Sequence, residues 1–255
     1  MGRPTTLGIV LAAGSGSRMG YLGGILPKTM VPVRGRPLLS FALGTLAKLG
    51  ADDVRVAILS GSEPAERYLR SLSPRELGFR SVRAVEFRRP TRSPLETLAR
   101  TLPARAPGGT VAVVLGDALT VSGGLPGWCG RFERSGASVA QAVIRERDRA
   151  RIRGACEVRV DRTDHILEVH EKPLRPRWGL RGCGLYLFRG PELSRLLQDS
   201  LSARPSASLS DLIEMCARRR DALALRISGR NINVNTVGDL MTAWQLAPSD
   251  REAPL

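Results

Sequence analysis

The glycine-rich segment behind the first apolar run constrains the fold of this chain more than any other feature. Residues 7–11 are apolar apart from one glycine, and they lead directly into Ala-Ala-Gly-Ser-Gly at residues 12–16. A buried strand, a loop of small residues and then a helix are typical of an α/β protein that binds an anion at the turn. Glycine has no Cβ, so the backbone N–H groups of such a loop can approach a phosphate closely. The opening of the chain therefore predicts a phosphate-binding βα unit.

Two basic residues behind this loop are the predicted charge partners of a polyphosphate. Arg18 follows the glycines, and Lys28 stands after Pro27. The chain has 39 lysines and arginines together, of which only Lys28, Lys48 and Lys172 are lysines. A compact ammonium can meet one phosphate oxygen where a planar guanidinium is too bulky. Lys28 and Lys172, which each neighbour a proline, are therefore predicted to be functional, and Lys48 to be a solvated residue on a helix.

Apolar patterns along the rest of the chain alternate between strand and helix, which indicates an α/β fold with helices on both faces of a mostly parallel, mixed sheet. The predicted strands are 7–11, 54–59, 82–87, 110–115, 139–144, 156–160, 166–169, 184–188 and a strand ending within 231–235. The predicted helices are 37–49, a short one capped by Ser62, 94–102, 191–201, 208–219 and 236–246.

A carboxylate is predicted to face the glycine loop. The most continuous apolar strand, 110–115, ends in Gly116-Asp117. Ligands of open α/β sheets bind beyond the carboxyl ends of the strands, where the glycine loop also lies. Carboxylate and phosphate oxygens are the ligands that Mg²⁺ prefers. Asp117 is therefore the predicted magnesium ligand.

Composition argues against several other classes of function. The formal net charge is +15, which suits anionic partners, but only 4% of residues are aromatic, so few side chains could stack on a single-stranded nucleic acid. No apolar run reaches the ~18 residues of a membrane-spanning helix. The four cysteines form no CxxC pair, which favours a reducing, cytoplasmic setting. His165 and His170 are predicted to be surface or structural residues.

The motifs, taken in chain order, resemble the nucleotidyltransferases that make nucleotide-sugars and related activated headgroups. They are the Leu11–Met19 opening with Pro27-Lys28, then Gly116-Asp117, Glu171-Lys172-Pro173, Gly184-Leu185-Tyr186-Leu187-Phe188, and Asn231-Ile232-Asn233-Val234-Asn235-Thr236. The resemblance implies a three-layer, Rossmann-like fold of the nucleotide-diphospho-sugar transferase type. It also implies one nucleotidyltransferase domain over 1–247, with a nucleotide-binding half at about 1–120, an acceptor-binding half at 121–247 and a frayed tail at 248–255.

The resemblance also implies a reaction in which an acceptor phosphate or phosphonate oxygen attacks the α-phosphorus of an NTP and pyrophosphate leaves. Arg18 would hold the β- and γ-phosphates, and Lys28 would neutralise the α-phosphate. Asp117 would bind Mg²⁺, Lys172 would meet the acceptor's phosphate, and Glu171 would bind the rest of the acceptor. The implied nucleotide contacts are Leu11, Ala12, Ala13, Gly14, Ser15, Gly16, Arg18, Lys28 and Ser93.

Two departures from the family pattern leave alternatives open. Asn233 and Asn235 stand where the family often has an aspartate as second metal ligand, and either amide could ligate Mg²⁺. The segment 92–97, at the family's base-recognition position, is altered, so the base stays undecided. The acceptor is a sugar 1-phosphate or, alternatively, a small phosphonate or phosphoalcohol activated with CTP. A non-catalytic, nucleotide-binding regulatory relative is the third reading, and a homo-oligomer is compatible with each.

Overall fold

The computed structural model describes residues 5–14, 16, 19, 21–105, 108–122 and 124–246, with only the backbone of Leu22 and Gly24. The strands are β1 (Thr6–Leu11), β2 (Pro32–Val33), β3 (Arg36–Pro37), β4 (Asp53–Leu59), β5 (Ser81–Phe87), β6 (Thr110–Leu115), β7 (Ala118–Ser122), β8 (Val139–Arg145), β9 (Cys156–Val160), β10 (Ile166–Glu171), β11 (Leu180–Arg189), β12 (Ala222–Arg226) and β13 (Gly229–Asn233). The predicted tail, 248–255, lies outside the described residues.

Helices connect and cover these strands. They are α1 (Tyr21–Ile25), α2 (Leu38–Lys48), α3 (Glu63–Ser71), α4 (Pro94–Thr101), α5 (Trp128–Ser135), α6 (Arg149–Arg153), α7 (Gly190–Ala203), α8 (Leu209–Arg218) and α9 (Val237–Leu246), with a single 3₁₀ turn at Lys28–Met30. Within the ranges given above, no helix has the length and apolar character that crossing a bilayer requires.

A nine-stranded mixed sheet forms the central layer. Its order is β10-β9-β11-β6-β1-β4-β5, and β8 pairs with both β11 and β12. The strands β6, β1, β4 and β5 are parallel, whereas β11 runs antiparallel to β6. Parallel neighbours need crossover connections, and α2, α3 and α4 supply them. The predicted α/β class with a mixed central sheet is confirmed.

Apolar residues on both faces of the sheet explain why it lies between two helical layers. Val10 packs with α2 on one face, while its neighbour Ile9 packs with α4 on the other. The same alternation holds on β6, where Val114 and Val113 belong to different core clusters. Successive side chains of a strand point to opposite faces, so a strand that is apolar throughout needs cover on both sides.

A two-stranded ribbon, β7 paired with β13, stands apart from the central sheet and carries one side of the cavity described below. The strands are antiparallel, and Asn233 lies opposite Ala118. The backbone N–H of Val234 donates to the carbonyl oxygen of Asp117 at 2.9 Å. The ribbon therefore brings the closing segment of the chain against the Gly116-Asp117 turn.

Element boundaries differ from the predicted ones where polar residues continue a strand. The strand predicted at 166–169 runs on to Glu171, and the one predicted at 184–188 spans Leu180–Arg189. The strand predicted to end within 231–235 ends at Asn233. The sequence patterns also missed β7, β12 and the short helices α5 and α6. The helix α5 lies between Gly127 and Gly136, both with positive φ, and such glycine-rich surroundings resemble a loop.

Candidate active site

One cavity of about 570 Å³ lies at the carboxyl ends of the parallel strands. It is lined by nearly all the predicted site residues that the structure describes, namely Leu11, Ala12, Ala13, Gly14, Lys28, Ser93, Asp117, Glu171, Lys172, Asn233 and Asn235. Gly16 is described but does not line the cavity. Ser15 and Arg18 lie outside the described residues, so their predicted contacts remain predictions.

Gly116 lets the glycine loop and the Asp117 turn lie side by side. Its backbone N–H donates to the carbonyl oxygen of Leu11 at 2.9 Å. A Cβ at this position would stand 2.9 Å from the Cβ of Ala12 and 3.0 Å from Cγ2 of Thr29. Contacts this short do not occur for real side chains, so glycine is required for the two strand ends to approach. The approach fixes Asp117 next to the phosphate loop.

The side chains of Lys28 and Asp117 form an ion pair at the centre of the cavity. The Lys28 Nζ pairs with Asp117 Oδ2 and also donates to Asn235 Oδ1 at 3.2 Å. Only 14% and 16% of the two side chains are exposed. Because water screens such a pair little, Lys28 is held on the line between the strand ends, where a nucleotide phosphate would meet it.

The glycine loop passes over the root of Lys28. Gly16 has a left-handed φ of 64°, and a Cβ there would lie 3.2 Å from Cβ of Lys28. The N–H of Met19 closes the turn by donating to the carbonyl oxygen of Gly16 at 2.9 Å. Gly16 therefore shapes the predicted phosphate loop without itself lining the cavity.

The donors around Asp117 fit a magnesium ion. Oδ1 of Asn233 is buried and has no hydrogen-bond partner among the described residues, although Asn233 lines the cavity. A buried amide oxygen left unpaired costs about 1–3 kcal/mol, a cost that a bound cation would remove. Asp117, Asn233 and Asn235 together offer only oxygen ligands, the set that Mg²⁺ takes with phosphates and water.

The start of α4 forms the wall beside the glycine loop. Oγ of Ser93 accepts from the N–H of Glu96 at 3.2 Å, and Oε2 of Glu96 accepts from the N–H of Arg92 at 2.9 Å. The second bond is the main cause that lowers the pKa of Glu96. Thr91 and Thr97 also line the cavity and share a hydrogen bond between their hydroxyls. This capped turn is rigid and polar, which suits contact with a base or ribose.

The acceptor half of the cavity is built around Glu171 and Lys172. Lys172 has a left-handed φ of 45°, and its N–H donates to the carbonyl oxygen of Ala155 at 2.7 Å. Its Nζ lies 3.8 Å from Oε1 of Glu171, while Ser210 Oγ donates to Oε2 of Glu171 at 2.8 Å. The ammonium is 59% exposed. A carboxylate held by a hydroxyl and a solvated ammonium thus lie side by side at the cavity wall.

Several lining residues were not predicted, among them Ser210, Cys156 and Gly182. Tyr186 was predicted to belong to the core, and it is 5% exposed but also lines the cavity. The register of β11 against β8 shifts between Gly182 and Tyr186, and Gly184 has a φ of 65°. This irregularity decides which side chains reach the cavity. No residue pattern in the sequence carries that information.

The fold and the cavity together define a nucleotidyltransferase, an enzyme whose residues gather a nucleotide, a metal ion and an acceptor phosphate. The sequence model of the MobA-like NTP transferase domain matches residues 8–223, so the chain belongs to this family.

Named relatives and a solved structure agree with this class. The chain is 26% identical over 241 residues to a glucose-1-phosphate thymidylyltransferase of Actinoplanes sp., covering 92% of this chain and 76% of the relative. It is 27% identical to the enzyme of that name from Mycolicibacterium smegmatis, over 83% and 71% of the two chains. A Bacillus anthracis structure, a candidate glucose-1-phosphate thymidylyltransferase in complex with a sucrose, superposes with a TM-score of 0.85 at 20% identity, covering 98% and 97%.

A shorter match points to a different named activity. Over 50 residues the chain is 46% identical to the CMP-5'-(3-aminopropyl)phosphonate synthase of Streptomyces rubellomurinus. The match covers 20% of this chain and 8% of the relative. It is higher in identity than the thymidylyltransferase matches but much smaller in extent.

Proposed function

We propose that the protein transfers a nucleotidyl group from an NTP to a sugar 1-phosphate or a similar phosphate-bearing acceptor, with release of pyrophosphate. The observation that carries the proposal is the convergence of Lys28, Asp117, Asn233 and Lys172 on one cavity. The relatives that match most of the chain are named for this type of transfer. The implied substrates are therefore an NTP and a sugar phosphate.

The reaction needs positioning and charge neutralisation rather than a covalent intermediate. An oxygen of the acceptor phosphate attacks the α-phosphorus, and the bond from that phosphorus to the oxygen bridging to the β-phosphate breaks. Lys28 would balance the charge that builds on the α-phosphate, and Lys172 would hold the attacking phosphate. The backbone N–H groups of the glycine loop, with Arg18, would receive the leaving pyrophosphate.

A divalent ion, which we propose to be Mg²⁺, would be held by Asp117 with an amide oxygen of Asn233 or Asn235. It would screen the triphosphate charge and lower the energy of the transition state. The unpartnered oxygen of Asn233 supports its role as the second ligand, whereas Asn235 already receives a hydrogen bond from Lys28. We extend the proposal to a cytoplasmic enzyme, since Cys156, Cys183 and Cys216 are free thiols.

Pyrophosphate release tests the proposal directly. The purified protein is assayed with each NTP against glucose 1-phosphate, phosphocholine and 2-aminoethylphosphonate, with and without Mg²⁺. We expect Mg²⁺-dependent release with one base preferred, and a loss of orders of magnitude in Asp117→Asn but not in Asp161→Asn, which changes an exposed turn. No release with any pair would contradict the proposal and favour the regulatory, nucleotide-binding alternative.

A small phosphonate is the second candidate acceptor, and the lining of the acceptor half favours it. Apart from Glu171, Lys172 and two serines, this wall is made of small or apolar residues such as Ala155, Cys156 and Gly182. A hydroxyl-rich sugar needs many polar partners, whereas an aminoalkyl phosphonate needs one anion and one cation site. The pair of Glu171 and Lys172 offers both, and the match to a CMP-phosphonate synthase agrees.

The two acceptors are separated by comparing kcat/KM for CTP with 2-aminoethylphosphonate and for dTTP with glucose 1-phosphate. If the phosphonate is the acceptor, Glu171→Gln should raise the KM of the amine-bearing acceptor about tenfold and leave that of its methyl analogue, ethylphosphonate, unchanged. A higher kcat/KM with glucose 1-phosphate would reject the phosphonate candidate.

A further inference from the structure

A buried arginine links the central sheet to the β7–β13 ribbon. Arg181 lies on β11 and is 3% exposed. Its Nη1 donates to Asn231 Oδ1 at 3.0 Å, and its Nη2 donates to the carbonyl oxygen of Asn231 at 2.9 Å. One planar guanidinium therefore binds both the side chain and the backbone of a single ribbon residue.

Asn231 passes this link on to the other strand of the ribbon. Its Nδ2 donates to Oγ1 of Thr120 on β7 at 2.9 Å and to the carbonyl oxygen of Cys183 on β11 at 3.2 Å. The residue is 3% exposed. The amide of Asn231 thus joins β7, β11 and β13, and the guanidinium of Arg181 fixes the orientation of that amide.

The link lies next to the proposed metal ligands. Asn233 is two residues further along β13, so its side chain leaves the strand on the same face as that of Asn231. It stands opposite Ala118, and the N–H of the next residue, Val234, donates to the carbonyl oxygen of Asp117 at 2.9 Å. A displacement of β13 would therefore move Asn233 relative to Asp117.

Stability alone gives a weak reason for a charge at this position. The carboxylate nearest to the guanidinium is that of Glu146, whose Oε2 lies 3.4 Å from Nε of Arg181. Nε itself makes no hydrogen bond among the described residues. Replacing a buried ion pair by apolar residues of similar volume is often neutral or stabilising. The two-pronged geometry toward Asn231, which only a guanidinium provides, is the feature that an apolar residue would lose.

We propose that Arg181 is a positioning residue of the metal site. It holds β13 through Asn231 so that the amide oxygen of Asn233 stands beside Asp117 and completes the oxygen ligands of the divalent ion. The inference rests on the proposed function only in that the cavity binds a divalent ion with a polyphosphate. Arg181 itself does not line the cavity and is not expected to touch the substrates.

Binding of Mn²⁺ measured by electron paramagnetic resonance, with inorganic pyrophosphate present, tests this without knowledge of the base or the acceptor. Arg181→Lys keeps the charge near Glu146 but offers a single ammonium in place of the fork, and Arg181→Met removes the charge. The control is Arg189→Met on the same strand, because Arg189 also donates to backbone carbonyls, those of Ala137 and Glu133, but on the side of α5.

We expect Arg181→Met to weaken Mn²⁺ binding about tenfold, as is typical when a residue that orients a metal ligand is lost. Arg181→Lys should show a smaller loss, and Arg189→Met none. In turnover assays the Arg181 variants should regain most of their kcat at high Mg²⁺, while the KM of the acceptor stays unchanged. A residue that serves only stability would lower Tm without shifting the Mg²⁺ requirement.

Wild-type Mn²⁺ affinity in both Arg181 variants would overturn the proposal and leave the proposed function intact. The proposed function has its own check in the same experiment, because Asp117→Asn must lose Mn²⁺ binding. If Asp117→Asn binds Mn²⁺ as the wild type does, the metal site itself has been assigned to the wrong residues.

Discussion

At the scale of single residues, the cavity depends on an ion pair that must open when substrates bind. In the described structure Lys28 is shared between Asp117 and Asn235. A phosphate would draw the ammonium away from Asp117, and a metal ion would take its place at the carboxylate. Lys28 and Asp117 therefore neutralise each other in the free protein and hold the positions that the substrates would use.

Lys28→Ala should reduce turnover by about 10²–10³, because it removes a cation aimed at charge that develops in the transition state. The matched control is Lys48→Ala, which removes the exposed lysine at the end of α2 and should leave turnover unchanged. Steady-state pyrophosphate release at saturating Mg²⁺ measures both variants. Near-normal turnover in Lys28→Ala would refute the role assigned to this lysine.

Gly116→Ala should impair catalysis through a steric effect. The added methyl group would meet Cβ of Ala12 at 2.9 Å and Cγ2 of Thr29 at 3.0 Å, so the Asp117 turn must move away from the glycine loop. We expect a loss of at least tenfold in kcat together with about 1–3 kcal/mol of stability. Gly44→Ala is the control, since a Cβ there meets nothing within 4 Å. Unchanged kinetics in Gly116→Ala would contradict the requirement for close approach.

At the scale of elements, capping residues fix where the helices beside the cavity begin. Ser208 was predicted to cap the helix over 208–219, and the structure confirms a reciprocal capping box with Asp211 at the start of α8. The first turn of this helix carries Ser210, which holds Glu171. The sequence signal for the cap thus also located an element that supports the acceptor wall.

Ser208→Ala should lower the free energy of unfolding by about 1 kcal/mol, the usual cost of losing an N-cap. Because α8 would fray where Ser210 donates to Glu171, the KM of the acceptor should rise more than that of the nucleotide. Ser62→Ala is the control, since Ser62 precedes α3 without a side-chain cap bond. Urea denaturation and two-substrate kinetics measure these effects; equal changes in the two KM values would contradict the link to the acceptor wall.

At the scale of the whole molecule, each helical layer buries a thiol against the sheet. Cys183 belongs to the core cluster on one face and Cys216 to the cluster on the other. Burial raises the pKa of each thiol from 9.0 to about 12. Both layers are therefore built around groups that are stable only in the neutral form.

The protein should lose stability as the pH rises above about 9. The folded state holds these protons up to a pKa of about 12, whereas unfolding releases them from a pKa of 9.0. The contribution is thus complete below pH 9 and falls between 9 and 12, by about 2 kcal/mol per thiol at pH 10.5. The free energy of unfolding of Cys183→Ala should fall less steeply over this interval. A slope equal to that of the wild type would contradict the assignment.

The sequence by itself determined the class of fold and most of the nucleotide side of the cavity. Residues 7–16, the Gly116-Asp117 turn and Lys28 act through short-range features, since strand ends, small residues and turns are written locally. The helices around Leu39, Leu98 and Leu212 could be predicted because their apolar faces repeat at helical spacing.

Only the tertiary structure decided which distant residues complete the site. The shifted register of β11 brings Cys156, Gly182 and Tyr186 to the cavity, and the β7–β13 ribbon carries Asn233 to Asp117. The grip of Arg181 on Asn231 spans 50 positions of the chain. Such pairings follow from strand register and from the packing of buried polar groups, which depend on the whole fold and leave no periodic signal in the sequence.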